Sequence, residues 1–336
     1  MKLGLKLRLS IAGAALAGVL TLSVGFFGTR ARAAGNYKPV DPTKMSAAEF
    51  DKLFKQISNW GRWGKDDALG TINLITDAKR KQAASLVKAG ISISVAHDLI
   101  TEESADNPAG RFKRVVAPNF RTDTYFFQYH GAFVTHQDAL CHYTYNDRVY
   151  NDRPLNTKDC FPGIDQLKNG VVTRGILIDI PRLKGVPYLE PEDAVYQKDI
   201  EAWEKMAGVK VSSGDAVILR TGRWARREKT GPWNNIASAS GFDVTVAPWF
   251  RARDVALGAG DTTVEIHNVP PVVEGQITPL HTLFINGLGM PIIDDMDPEA
   301  LAETCARLHR WEFMLVVAPL RVPNGTGSPL NPIAMF

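Results

Sequence analysis

The stretch Tyr129-His130-Gly131-Ala132-Phe133-Val134-Thr135-His136-Gln137-Asp138-Ala139-Leu140-Cys141-His142 holds three of the chain's seven histidines within thirteen residues. His136 and Asp138 stand two apart, so on an extended strand both side chains project to one face, as two ligands of a single ion require. His142 follows Asp138 by four residues, which puts it one helical turn away if the chain coils there and across a bend if it does not. Imidazole together with carboxylate suits zinc or manganese, whereas a closed structural zinc site would call for a cysteine pair. A His-x-Asp pair alone also reads as a hydrogen-bonded surface couple.

Outward from this stretch, the pattern predicts a mixed α/β chain. Ser46-Ala47-Ala48-Glu49 has the spacing of a capping box, and Phe50, Leu53, Phe54 and Ile57 follow at helical intervals, so a helix is expected over about 46–58. Further helices are expected over 77–88, 193–207, 246–257 and 297–309. Strand signals cover 91–96, 124–130, 171–180, 216–221, 284–286 and 313–318. The run Gly175-Ile176-Leu177-Ile178-Asp179-Ile180 is nearly continuous in apolar residues, which implies a strand covered on both faces. With no internal repeat and no low-complexity linker, one mature domain over 34–336 is the economical reading.

The 336 residues are 45% hydrophobic and 22% charged, which excludes a disordered chain, a disulfide scaffold and a fibrous rod. The formal charge of +3 is concentrated at the start. Residues 1–33 carry five basic side chains and no acidic one; without them 34 basic residues face 36 acidic ones, a net charge of −2. A nucleic-acid partner is therefore not expected, and a small-molecule substrate is. The first 33 residues read as a secretory signal: basic Lys2, Lys6 and Arg8, an apolar run from Ile11 to Phe27, then Ala31-Arg32-Ala33 as a small-x-small cleavage site. A mature protein that is periplasmic or secreted, with no membrane span after cleavage, is the consequence; an uncleaved anchor is the alternative. Cys141, Cys160 and Cys305 allow at most one bridge, and spacing does not select the pair.

Thr135-His136-Gln137-Asp138-Ala139-Leu140-Cys141-His142 resembles the signature of the metal-dependent cyclase superfamily, which includes bacterial kynurenine formamidase and isatin hydrolase. Asn59-Trp60-Gly61-Arg62-Trp63-Gly64, Leu69-Gly70-Thr71-Ile72-Asn73-Leu74-Ile75, Leu219-Arg220-Thr221-Gly222 and Gly327-Ser328-Pro329-Leu330-Asn331-Pro332-Ile333 look like stretches of its longer bacterial members. The resemblance implies an α/β fold with a mixed sheet of the swivelling β/β/α type. It also implies metal-assisted hydrolysis of an amide, cyclic amide or ester, and assembly as a homodimer or larger homo-oligomer. His136, Asp138 and His281, with Asp294 as a fourth, would hold Zn²⁺ or Mn²⁺, and His142 would carry a proton.

The chain departs from the family pattern in two places. The family has Glu where Asp294 stands, one methylene longer. It also has a metal-binding histidine four residues before His136, where this chain has Ala132. His130 lies two residues earlier, about 7 Å along an extended strand, so a single well-held ion with a weakened or absent second site is expected. An exported, non-catalytic ligand-binding protein on the same fold is the rival reading.

Other candidates read as structural. Adjacent residues on a strand face opposite ways, so Cys141 is expected to turn from the ligands into the core rather than act as a nucleophile. Glu265 and His267, two apart, read as structural hydrogen-bonding residues rather than as ligands. Phe126, Phe127, Trp249 and Phe250 read as core. Trp60 and Trp63 either close over a ligand or anchor the N-terminal arm.

Overall fold

A computed structural model describes residues 37–336 apart from Ala109, Gly110, Phe120 and Ala132. The expected signal segment, 1–33, lies outside the described residues. Among these, no helix is long and apolar enough to cross a membrane.

The core is a nine-stranded mixed sheet. Its strands are β1 (Ser92–Ser94), β2 (His136–Asp138), β3 (Val171–Asp179), β4 (Ala216–Arg220), β5 (Leu257–Gly260), β6 (Ile292–Asp294), β7 (Glu312–Val317), β8 (Gly327–Pro329) and β9 (Ile333–Met335). Their order across the sheet is β1-β9-β7-β3-β4-β5-β6-β2-β8. The centre, β3 to β6, is parallel. The flanks are antiparallel. Parallel strands need both faces covered, and β3 meets this: Ile176 and Ile178 enter one apolar cluster and Leu177 the other. The first cluster is capped by Phe50, Leu53, Phe54 and Ile57 of the helix Ala47–Ile57. That helix starts as expected, with Ser46 and Glu49 capping each other reciprocally.

Several boundaries differ from the sequence reading. The helix expected over 246–257 ends at Arg253, and the chain then re-enters the sheet as β5. The helix expected over 77–88 ends at Ala84, and that expected over 193–207 begins at Gln197. Phe284–Asn286 is not a strand: it lies in a wide helical segment, Thr282–Leu288, buried throughout. A short apolar run buried on all sides carries no periodicity to separate strand from helix. The strand expected over 124–130 stops at Phe127 and pairs with Phe112–Val116 in a hairpin outside the main sheet. Phe126 and Phe127 are accordingly exposed rather than core, whereas Trp249 and Phe250 are buried.

Candidate metal centre

Strand register assembles the centre. In β2, His136 lies opposite Asp294 of β6, and on its other side Asp138 lies opposite Gly327 of β8. Directly opposed residues share a sheet face, so Asp294 arrives beside His136 although it is 158 positions away. His281 comes from the turn Pro279–His281 that leads into the wide helix. His142 sits past the end of β2, where the backbone turns with its amide bonded to Ala139 O.

His136 Nε2 lies 3.5 Å from Asp138 Oδ1 and 4.0 Å from Asp294 Oδ2. His281 Nε2 lies 3.0 Å from Asp294 Oδ2 and 4.0 Å from Asp138 Oδ2. His142 Nε2 is 3.9 Å from Asp138 Oδ2. All four residues proposed as ligands, His136, Asp138, His281 and Asp294, are nearly fully buried. The shorter Asp294 reaches because its strand pairs directly with that of His136. His136 donates from Nδ1 to Val134 O at 2.7 Å, which leaves its Nε2 lone pair facing the carboxylates. Among the described residues, two triads of potential ligand atoms stand out, His136–Asp138–Asp294 and His130–Asp138–His142, each with its atoms within 4.8 Å. Asp138 belongs to both.

These residues fit a divalent cation. Asp138 Oδ1, Asp294 Oδ1 and His130 Nδ1 are buried and make no hydrogen bond. Uncompensated buried polar atoms are costly, and Asp138 Oδ1 and His130 Nδ1, 3.0 Å apart, are accounted for by an ion that both touch. The nitrogen and oxygen donor set suits zinc or manganese.

The family model named Cyclase ("Putative cyclase") matches residues 65–264, more than half of the chain. The chain belongs to the cyclase family. A crystal structure of a novel cyclase superposes with TM-score 0.73 at 26% identity, covering 84% of this chain and 99% of that one. Isatin hydrolase A from Ralstonia solanacearum gives TM-score 0.52 at 18% identity over 73% of this chain and 91% of that one. Isatin hydrolase A from Labrenzia aggregata, bound to benzyl benzoate, gives 0.50 at 20% over 75% and 94%. These likenesses bear out the mixed α/β fold of cyclase type. No curated protein sequence matches the chain significantly.

In this cyclase-family chain His130 is not displaced from the centre. Its Nδ1 stands 3.0 Å from Asp138 Oδ1, and its ring stacks on that of His142 with centroids 3.8 Å apart. The extended-strand arithmetic fails because the described residues of 128–135 are not in a strand; Gly131, at φ +153°, lets the backbone turn. Ala132 lies outside the described residues. Three contacts hold His130 in place. Arg111 Nη1 donates to its carbonyl at 2.7 Å, Thr326 Oγ1 lies 3.0 Å from its Nε2, and Gly327 leaves room for the ring. A Cβ at Gly327 would stand 3.1 Å from His130 Cε1 and 2.5 Å from Gln137 O.

The electrostatics of the cyclase centre follow from crowding. Burial drives the Asp138 carboxyl upward, but His142, His130 and His136 outweigh it and hold Asp138 well below the ordinary carboxylate range. Burial pulls His142 down to about 4 against the opposing charge of Asp138. Burial also disfavours a charged His281, yet Tyr143, Asp294 and Glu265 hold it well above its usual value.

Glu265 makes the structural hydrogen bonds expected of it, with His281 as the partner that local spacing does not reveal. It accepts from His281 Nδ1, from Leu280 N at 2.6 Å and from His281 N at 3.2 Å. Its neighbour His267 bonds Thr263 Oγ1 and Ile236 O. The pairing of Glu265 with a residue 16 positions away leaves no mark in local spacing. Cys141 is bonded to Cys160 and buried, so no thiol faces His142, and Cys305 is a buried free cysteine. Trp60 donates to Asn286 O at 2.8 Å and packs edge-on against Phe54, which is the anchoring role.

Proposed function

We propose that this protein is a metal-dependent hydrolase acting on the carbonyl of an amide, cyclic amide or ester. The observation that carries this reading is Asp138, buried and shared between two triads of imidazole and carboxylate ligand atoms. His136, Asp138, His281 and Asp294 would hold one divalent cation, Zn²⁺ or Mn²⁺. His130, Asp138 and His142 form a second, more open group able to hold another. When bound, such a cation acidifies water towards neutral pH and polarises a carbonyl oxygen. With that second group empty, His142, partly exposed beside Asp138, is the proton carrier: its imidazole accepts a proton from water and returns it to the leaving nitrogen or oxygen.

Cleavage of residues 1–33 and function in the periplasm or outside the cell belong to the same proposal. The Cys141–Cys160 bridge supports it, because disulfides persist in oxidising compartments.

The test is elemental analysis of the purified mature chain, followed by a panel of N-formyl aromatics, isatin, cyclic imides and lactones. Bound metal with turnover that Asp138→Ala abolishes is the expected result. Bound metal without turnover on any of these would favour the non-catalytic binding protein. A chain that retains no metal would overturn both roles for the centre.

A further inference from the structure

Glu265 is 1% exposed, and three converging donors meet it: the amides of Leu280 and His281 and the Nδ1–H of the His281 ring. Its backbone is placed at a cost. Val264, immediately before it, sits at φ +52°, a left-handed conformation that a β-branched residue adopts only under constraint. Gly241 runs so close alongside that a Cβ there would lie 2.2 Å from Glu265 C and 2.3 Å from its O. A strained valine and an obligatory glycine thus flank one buried carboxylate.

That carboxylate accepts the Nδ1–H of His281 and keeps the proton on Nδ1, so Nε2 is the nitrogen that gives up its proton when a cation binds. Nε2 is the atom that faces Asp294 Oδ2 at 3.0 Å and Asp138 Oδ2 at 4.0 Å. A neutral ring in the opposite tautomer would turn an N–H towards the position that a cation needs. A carboxylate behind a ligating imidazole also raises the basicity of the donor nitrogen and locks the ring's rotation. We infer that Glu265 is a positioning residue of the metal centre, acting through His281 to set its tautomer, orientation and donor strength. This inference rests on the reading of His281 as a ligand.

The experiment compares the mature wild-type chain with Glu265→Gln and Gly241→Ala, loaded with Zn²⁺ and titrated against a chromogenic chelator. Glutamine keeps the volume and one acceptor oxygen but loses the charge, and Gly241→Ala pushes the Glu265 backbone without altering its side chain. Affinity is expected to fall about 10-fold to 100-fold in Glu265→Gln, and to fall in Gly241→Ala as well. Substitution by Co²⁺ gives a second readout, since the visible spectrum of the loaded protein should shift in both variants. Thermal melts of the metal-free proteins show whether each variant folds. A folded Glu265→Gln with wild-type Zn²⁺ affinity and an unchanged Co²⁺ spectrum overturns the inference. A wild-type chain that binds no metal instead overturns the underlying reading of the centre, so the two failures are distinguishable.

Discussion

His130 Nδ1 and Asp138 Oδ1 stand 3.0 Å apart, and neither makes a hydrogen bond. Two buried atoms that close, unaligned for each other, can both reach one cation placed beside them. His130→Ala should therefore abolish the second equivalent of metal taken up under excess cation and leave one, because His136, Asp138, His281 and Asp294 remain to hold it. Elemental analysis after dialysis checks this. An unchanged stoichiometry would assign His130 a purely structural role.

Asp138→Ala should be more severe than any single histidine change, because Asp138 belongs to both ligand groups. Loss of both sites removes several kcal/mol of charge stabilisation, which corresponds to a fall in kcat/KM of about 10³-fold or more. His142→Ala should behave differently. It should lower kcat by about 10²-fold to 10⁴-fold, the usual range for a lost proton carrier, while the His136–Asp138–Asp294 group keeps its ion. Parallel metal analysis and steady-state kinetics separate the two patterns. Complete metal loss in His142→Ala would make that residue a ligand first.

The centre was legible in sequence as far as local spacing reaches. His136 and Asp138 share a face because residues two apart on a strand do so, and the helix at Ala47–Ile57 declares itself through its capping box and apolar stripe. His281 and Asp294 came only from the family resemblance, since their place beside His136 depends on strand register. What failed was arithmetic that assumed regular structure. His130 returns to Asp138 because the chain bends at Gly131, and Phe284 is helical because full burial erases the pattern that distinguishes helix from strand. Glu265 reads as a hydrogen-bonding residue, but its partner His281 lies 16 residues ahead, beyond what local spacing reveals.

The Cys141–Cys160 bridge, of sequence separation 19, closes a loop that starts immediately before His142 and contains it. In the chain-entropy view, a loop of this size stabilises the fold by about 3 kcal/mol. Cys160→Ser should lower the urea midpoint accordingly, and a reductant should bring the wild type to the same value. Alkylation of the denatured, unreduced wild type should label one thiol, that of Cys305. Labelling of three, with no effect of reductant on the midpoint, would show that the bridge does not form.

Asp193 should make the N-terminal arm's anchorage depend on pH. Its side chain is fully buried; Oδ1 accepts from Val40 N at 2.9 Å, and Oδ2 has no hydrogen-bond partner. Lys184 Nζ lies 3.6 Å away but donates to Tyr37 Oη at 2.8 Å, so it compensates the carboxylate poorly. Burial lifts the Asp193 carboxyl from 3.8 to about 6. A raised carboxyl means that the folded state holds the proton more tightly than the unfolded chain does. Its contribution to stability is therefore full below pH 3.8 and is lost as pH rises through 6. Asp193→Asn mimics the protonated form at every pH. The variant should match the wild type at pH 4 and exceed it by about 3 kcal/mol at pH 7. Urea denaturation of both proteins at the two pH values measures the difference directly, with other carboxylates cancelling between them. A gap that stays constant from pH 4 to 7 would mean that Lys184 neutralises Asp193 after all, leaving the arm's attachment insensitive to pH.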